Sequence, residues 1–167
     1  MPFTLYAAAI PPMRHMLRNL STLLAKAAAH CEARKIDPQA LLGSRLYPDM
    51  LPLTRQVLIA TDTAKGAAAR LAGVEVPRFE DTETTFAELQ ARIDKTIAVL
   101  DSVTPAQFED AETRQIVLPM RDRTLEFTGA EYFTSFAQPN FYFHVTTAYA
   151  LLRHGGVEIG KRDFLGG

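Results

Sequence analysis

The sequence predicts an all-α fold, a four-helix bundle carrying one small β-hairpin. Three observations point there. Four stretches repeat apolar residues at helical spacing. Most of them are bounded by recognisable start and stop residues. One long connection, residues 74–83, separates the second from the third and is long enough to cross the end of a bundle.

The first stretch runs from about Thr4 to Glu32, with Met13, Leu17, Leu20, Leu24, Ala27 and Cys31 on one face. Pro11 and Pro12 should kink this helix or restart it. Residues 33–48 are mixed, with a short helical turn expected at Pro38 to Leu42. The second helix is expected from Asp49, which can cap free N–H groups, with Pro52 in the first turn. Leu53, Val57, Ala60, Ala64, Ala68 and Leu71 form its buried stripe, and Gly73 ends it.

Thr85-Phe86-Ala87-Glu88 is a capping box that opens the third helix, whose apolar face is Phe86, Leu89, Ile93, Ile97 and Leu100. Thr104-Pro105-Ala106-Gln107 opens a short helix. Residues 114–127 break the helical pattern. Two short apolar runs flank Arg121-Asp122-Arg123 and read as a hairpin, with Pro119 marking an edge or irregular strand. Thr128-Gly129-Ala130-Glu131 restarts helix. Pro139 then opens or kinks the last one, Asn140 to His154, which Gly155-Gly156 terminates. The tail from Val157 has no period of its own, and Lys161 and Asp163 are expected to anchor it.

The 167 residues suffice for one domain, spanning 1–167, and not for two. Eighteen basic against nineteen acidic residues leave a net charge of −1, without the basic excess of a nucleic-acid binder. No apolar run reaches the roughly 18 residues of a membrane span. No signal-peptide pattern opens the chain, so a cytoplasmic location is expected. Cys31 is the single cysteine, which rules out an intrachain disulfide. Its expected role is that of a small buried apolar residue. Signatures of serine hydrolases, nucleotide-binding loops, zincins and C-x-x-C sites are absent.

Two segments carry a resemblance. One is Arg45-Leu46-Tyr47-Pro48-Asp49-Met50-Leu51-Pro52-Leu53-Thr54-Arg55-Gln56-Val57. The other runs from Pro139-Asn140-Phe141-Tyr142-Phe143-His144 through Leu152-Arg153-His154-Gly155-Gly156 to Gly160-Lys161-Arg162-Asp163-Phe164-Leu165-Gly166. With Leu17-Arg18-Asn19-Leu20 and Lys26-Ala27, they resemble a bacterial domain-of-unknown-function family, number nineteen-ninety-three, of the DinB/YfiT-like superfamily. The resemblance covers essentially the whole chain. It implies an up-down-down-up four-helix bundle, often a homodimer. It also implies a divalent-metal site of three histidines, one in the second long helix and two four apart in the last. Counted back from the Leu-Arg-x-x-Gly ending, those positions fall here on Gln56, Asn140 and His144.

Asn140 and His144 are i and i+4 and share a helix face. One imidazole and two amides are nonetheless a weak set for zinc or nickel, which favour imidazole and thiolate. Harder cations accept amide oxygens but usually need carboxylates too. Asp49 lies seven residues before Gln56, roughly 10 Å along a helix axis, too far to share one metal without a bend. No tightly held cofactor is therefore expected, although a divalent metal on His144 stays open.

His144 admits three roles: ligand, general base, or buried hydrogen-bonded residue. Gln56 on an apolar helix needs a partner. Asn140 is either a cap or a partner for Gln56 and His144, and the three together offer both donors and acceptors. Asn19, Asp49 and Tyr142 are the further pocket candidates. Phe141 and Tyr149 are expected in the core, and Arg45 is expected to pair with Asp49 or cap locally.

Three functions follow as expectations. The first is a pocket at Gln56, Asn140 and His144 that binds an unknown small molecule. The second is a metal-dependent thiol S-transferase or isomerase, as some superfamily relatives are, with His144 on the metal. The third is a non-enzymatic homodimeric scaffold. No nucleic-acid or membrane partner is expected.

Overall fold

The structure, a computed structural model, describes residues 3–167. It is mostly helical, with four long helices, α1 (Leu5–Arg34), α3 (Leu53–Ala72), α4 (Phe86–Ser102) and α6 (Gln138–His154). Shorter helices are α2 (Pro38–Leu42), α5 (Gly129–Glu131) and α7 (Lys161–Leu165), with a 3₁₀ turn at Pro105–Phe108. Strands β1 (Gln115–Pro119) and β2 (Thr124–Thr128) pair antiparallel, with Ile116 opposite Phe127 and Leu118 opposite Leu125.

The long helices close around one apolar core, in which α3 packs against both α6 and α4, and α1 packs against α4 and α6. Arg14 meets Asp101 at 2.6 Å and Gln90 donates to the Ser21 carbonyl at 3.3 Å, so α1 and α4 run in opposite senses. The connection from α3 to α4 returns along α3. Phe79 lies under Lys65, Asp81 bonds Arg55, and the Thr84 carbonyl accepts from Gln39 beside the start of α3.

Local chemistry sets the boundaries. Thr85 and Glu88 form the reciprocal capping box of α4, and Thr128 with Glu131 forms that of α5. Gly73 ends α3 with φ near +71°, a conformation that favours glycine.

Three boundaries differ from the sequence expectation. Pro11 and Pro12 do not restart the helix but lie inside a continuous α1. They deprive the carbonyls four residues earlier of partners. Ala7 is exposed, and buried Ala9, Ile10, Met13 and Leu17 hold the helix on the core through this point. The second long helix starts at Leu53, not Asp49, because Pro52 occupies the N-cap position and no side chain caps it. Asp49 sits in an exposed turn, where Arg45 bonds the Met50 carbonyl instead. Pro139 falls in the first turn of α6, but the helical run does not begin there. Gly129 to His154 is one helical run in which the π-helical segment Tyr132–Ala137 leads directly into α6. The wider π turn relieves the clash between the proline ring and the carbonyl four residues back.

The tail forms α7 against α1. Asp163 pairs with Lys26, Asn19 donates to the Phe164 carbonyl at 3.0 Å, and His15 meets the Leu165 carbonyl at 2.8 Å. Tyr149 packs edge-on against Phe164, while Lys161 is exposed. Cys31 is buried, and burial raises its thiol pKa, which disfavours the reactive thiolate.

A charge cluster fastens the α3–α4 connection. The Arg92 side chain is 1% exposed and bonds Asp62, Asp81 and Glu83 as well as the Thr61 hydroxyl. Removing one partner of a fully buried pair costs about 3–5 kcal/mol. Asp62 and Asp81 reach water and can rehydrate, so Arg92→Leu is expected to cost less, about 2–3 kcal/mol in urea unfolding.

Candidate functional site

The seam between α3 and α6 is where the candidate residues meet. Gln56 lies on the first turn of α3 and is 2% exposed. Its Nε2 donates to the Leu51 carbonyl at 2.9 Å. That contact fixes which way the amide faces, because a carbonyl only accepts. The Gln56 Oε1 then points at His144 Nδ1, 2.6 Å away. An amide oxygen also only accepts, so Nδ1 carries the imidazole proton and Nε2 carries the lone pair.

His144 is 8% exposed and its burial lowers its pKa, so the neutral ring is favoured. Among the described residues Nε2 has no hydrogen-bond partner, and it is not sealed from solvent. Phe143 stands edge-on to the ring at 5.1 Å and is half exposed, as is Leu51 on the Gln56 side. The arrangement is a neutral, oriented imidazole with a free basic nitrogen beside apolar surface. Such a group can accept a hydrogen bond, take a proton, or ligate a metal through Nε2.

Asn140 does not join this pair. It lies one turn before His144 on α6, and its Nδ2 donates to Thr63 Oγ1 at 3.0 Å, farther along α3. It is inside the helix and caps nothing. Asn19 is buried under the tail, bonded to the Phe164 carbonyl. Tyr142 lines a separate, mainly apolar cavity of about 510 Å³ with Leu5, Ala8 and Phe133, and burial raises its pKa. Phe141 is fully buried. Gln56 and His144 are therefore the pair that the fold brings into contact.

The donor set fits a tightly bound transition metal poorly. Gln56 Oε1 is spent on the His144 proton and Asn140 is turned to Thr63, which leaves one imidazole nitrogen. Among the described residues no three His, Cys, Asp or Glu side chains converge as a metal set. Gln56 instead holds the position of a group that orients a histidine through its second nitrogen.

Sequence reasoning missed two features near this seam, the Arg92 cluster and a cavity at Arg70. An arginine among Leu89, Ile93 and Thr96 on the inner face of α4 was the available signal for the first.

Two measurements check the geometry. An NMR titration should give His144 an apparent pKa below its ordinary 6.5, with the proton of the neutral ring on Nδ1. The depressed pKa means the unfolded chain takes up a proton that the folded chain resists. The contribution of His144 is therefore full above pH 6.5 and is lost as pH falls from 6.5 through the lowered folded value. Gln56→Leu should strand the Nδ1 proton and lower stability by about 1–3 kcal/mol.

Comparison with known proteins agrees with this architecture. No curated protein matches the chain. A crystal structure of a DinB family member protein from Shewanella denitrificans at 1.83 Å resolution superposes with a TM-score of 0.92. It is 45% identical, over 98% of this chain and 92% of that one. The family described as a domain of unknown function, DUF1993, matches residues 5–165, and the chain belongs to that family.

Proposed function

We propose that the chain is a small-molecule-binding DinB-like protein whose site centres on His144, working without a tightly held metal. The observation that carries this reading is the bond from His144 Nδ1 to Gln56 Oε1, which consumes one family ligand position to orient the other. The ligand would meet the free Nε2 with a hydrogen-bond donor or an acidic proton, and place apolar surface on Phe143 and Leu51. The antiparallel pairing of α1 with α4, and the α3–α4 connection that doubles back along α3, support an up-down-down-up bundle acting as one domain over 1–167. A near-neutral charge supports a protein without a nucleic-acid partner, and no described helix is long and apolar enough to cross a membrane.

A second reading, a homodimeric scaffold, draws on the exposed Leu46, Tyr47 and Leu51 of the loop before α3, with Phe143 near Leu51 through the Gln56–His144 pair. Apolar groups gathered in this way are common at contacts between proteins.

Elemental analysis separates the site readings. The purified chain, offered zinc, nickel or manganese in excess, should retain none stoichiometrically. The double variant Gln56→His, Asn140→His should gain about one zinc per chain, because three imidazoles then stand at the family positions. One metal per wild-type chain, lost in His144→Ala, would sink the metal-free reading and favour the metal-dependent thiol chemistry. For the scaffold, light scattering should show a dimer that Tyr47→Asp converts to monomer.

A further inference from the structure

A second site lies farther along α3, and it does not rest on the reading of His144. Thr63, Gly66 and Arg70 fall on one face of α3, at i, i+3 and i+7. Arg70 folds back along the helix over Gly66, where any side chain would run into its guanidinium. Glycine costs about 1 kcal/mol relative to alanine inside a helix, and here its bare surface makes room for that charge. Arg70 Nη1 donates to Tyr132 Oη at 3.2 Å.

Arg70, Thr63 and Tyr132 line one cavity of about 250 Å³. Its remaining walls are largely apolar: Leu118 and Met120 from the hairpin, and Phe136 from the π-helical segment. This is below the roughly 300–1,000 Å³ of sites for drug-sized ligands, so the occupant is small.

Three groups in this cavity keep donor hydrogens without an acceptor among the described residues. Thr63 Oγ1 accepts from Asn140 and donates to nothing, whereas Thr61, Thr96 and Thr147 each donate to a backbone carbonyl. Tyr132 is 1% exposed. Its oxygen accepts from Arg70, and its own hydrogen has no acceptor. Among the described residues Arg70 has no carboxylate within 4 Å. Asp62 also borders the cavity, but Lys65 and Arg92 hold it. In the adjoining cluster Arg55, Lys65 and Arg92 pair with Asp62, Asp81 and Glu83, and Arg70 takes part in none of these ion pairs, although it also borders a neighbouring cavity with Glu75 and Arg78.

Unspent donors and one unpaired cation above an apolar floor call for an anionic acceptor with an apolar body. We propose that this cavity binds a small carboxylic acid, its carboxylate between Arg70, Thr63 and Tyr132 and its apolar part against Leu118, Met120 and Phe136. Asn140 then has a role of its own as a positioning residue. By occupying a lone pair of Thr63, it leaves the hydroxyl hydrogen available to the ligand.

Calorimetric titration of the full chain with phenylacetate, phenylacetamide and inorganic phosphate tests this. Phenylacetate should bind at least about tenfold tighter than either other probe, the gap expected when a charge-assisted contact or the apolar body is missing. Arg70→Met should abolish the preference for acid over amide, and Tyr132→Phe should weaken the acid several-fold. Should Arg70→Met fail to fold, exposed Met120→Glu removes one apolar contact from both probes but adds a like charge that only the acid feels, so it should weaken phenylacetate several-fold more than phenylacetamide. His144→Ala should leave the acid affinity unchanged. The proposal is overturned by no binding of phenylacetate at millimolar concentration, by equal affinity for acid and amide, by phosphate binding as tightly as the acid, or by loss of binding in His144→Ala.

Discussion

Helix α3 is buried on almost every side, and that constraint organises the molecule. It packs against α4 on one flank and α6 on another, with Ala60, Ala64, Ala67 and Ala68 letting its neighbours approach closely. A helix so enclosed has little water to offer its polar side chains, and an unpaired buried polar group costs about 1–3 kcal/mol. Most of them are answered from within the protein. Gln56 is answered by Leu51 and His144, Thr61 by Arg92, Thr63 by Asn140, and Lys65 by Asp62. The chemistry of the α3–α6 seam follows from meeting these demands.

The departure from the three-histidine arrangement that the superfamily resemblance implies has a physical logic in the same terms. A glutamine in place of a ligand histidine would be a liability in a core unless both ends of its amide were used. Here both are used, and the result is a histidine with a fixed tautomer. Asn140 could not also reach that pair, because its amide is committed to Thr63 one turn away. The seam is thereby split into two short polar contacts separated along α3.

Much of the fold is legible in the sequence because its signals are local. The capping boxes at Thr85 and Thr128, the stop at Gly73 and the hairpin at 115–128 each depend on residues within a few positions of one another. The errors arise where tertiary packing overrides a local rule. Pro11 and Pro12 remain helical because the core holds their flanks, and Asp49 yields its capping role to the Pro52 boundary. The candidate site is legible only in part. Gln56 and His144 come through by position, yet the spacing of Asn140 and His144 at i and i+4 says nothing of Thr63, which sits 77 residues earlier in the chain. The Arg70 cavity is assembled from α3, the hairpin and the π-helical segment, so no single stretch announces it.

The way α7 is held has a consequence for how the tail can vary. Asn19 and His15 grip main-chain carbonyls of Phe164 and Leu165, not their side chains. Every residue type presents the same carbonyl, so this clasp recognises shape and not identity. Leu165 itself is half exposed and could be exchanged for many residues without loosening the grip. Tolerance ends abruptly at Gly166, whose φ near +81° and contact with Asn19 leave no room for a side chain. The tail is thus permissive in chemistry and strict in path, like a ribbon threaded through a fixed buckle.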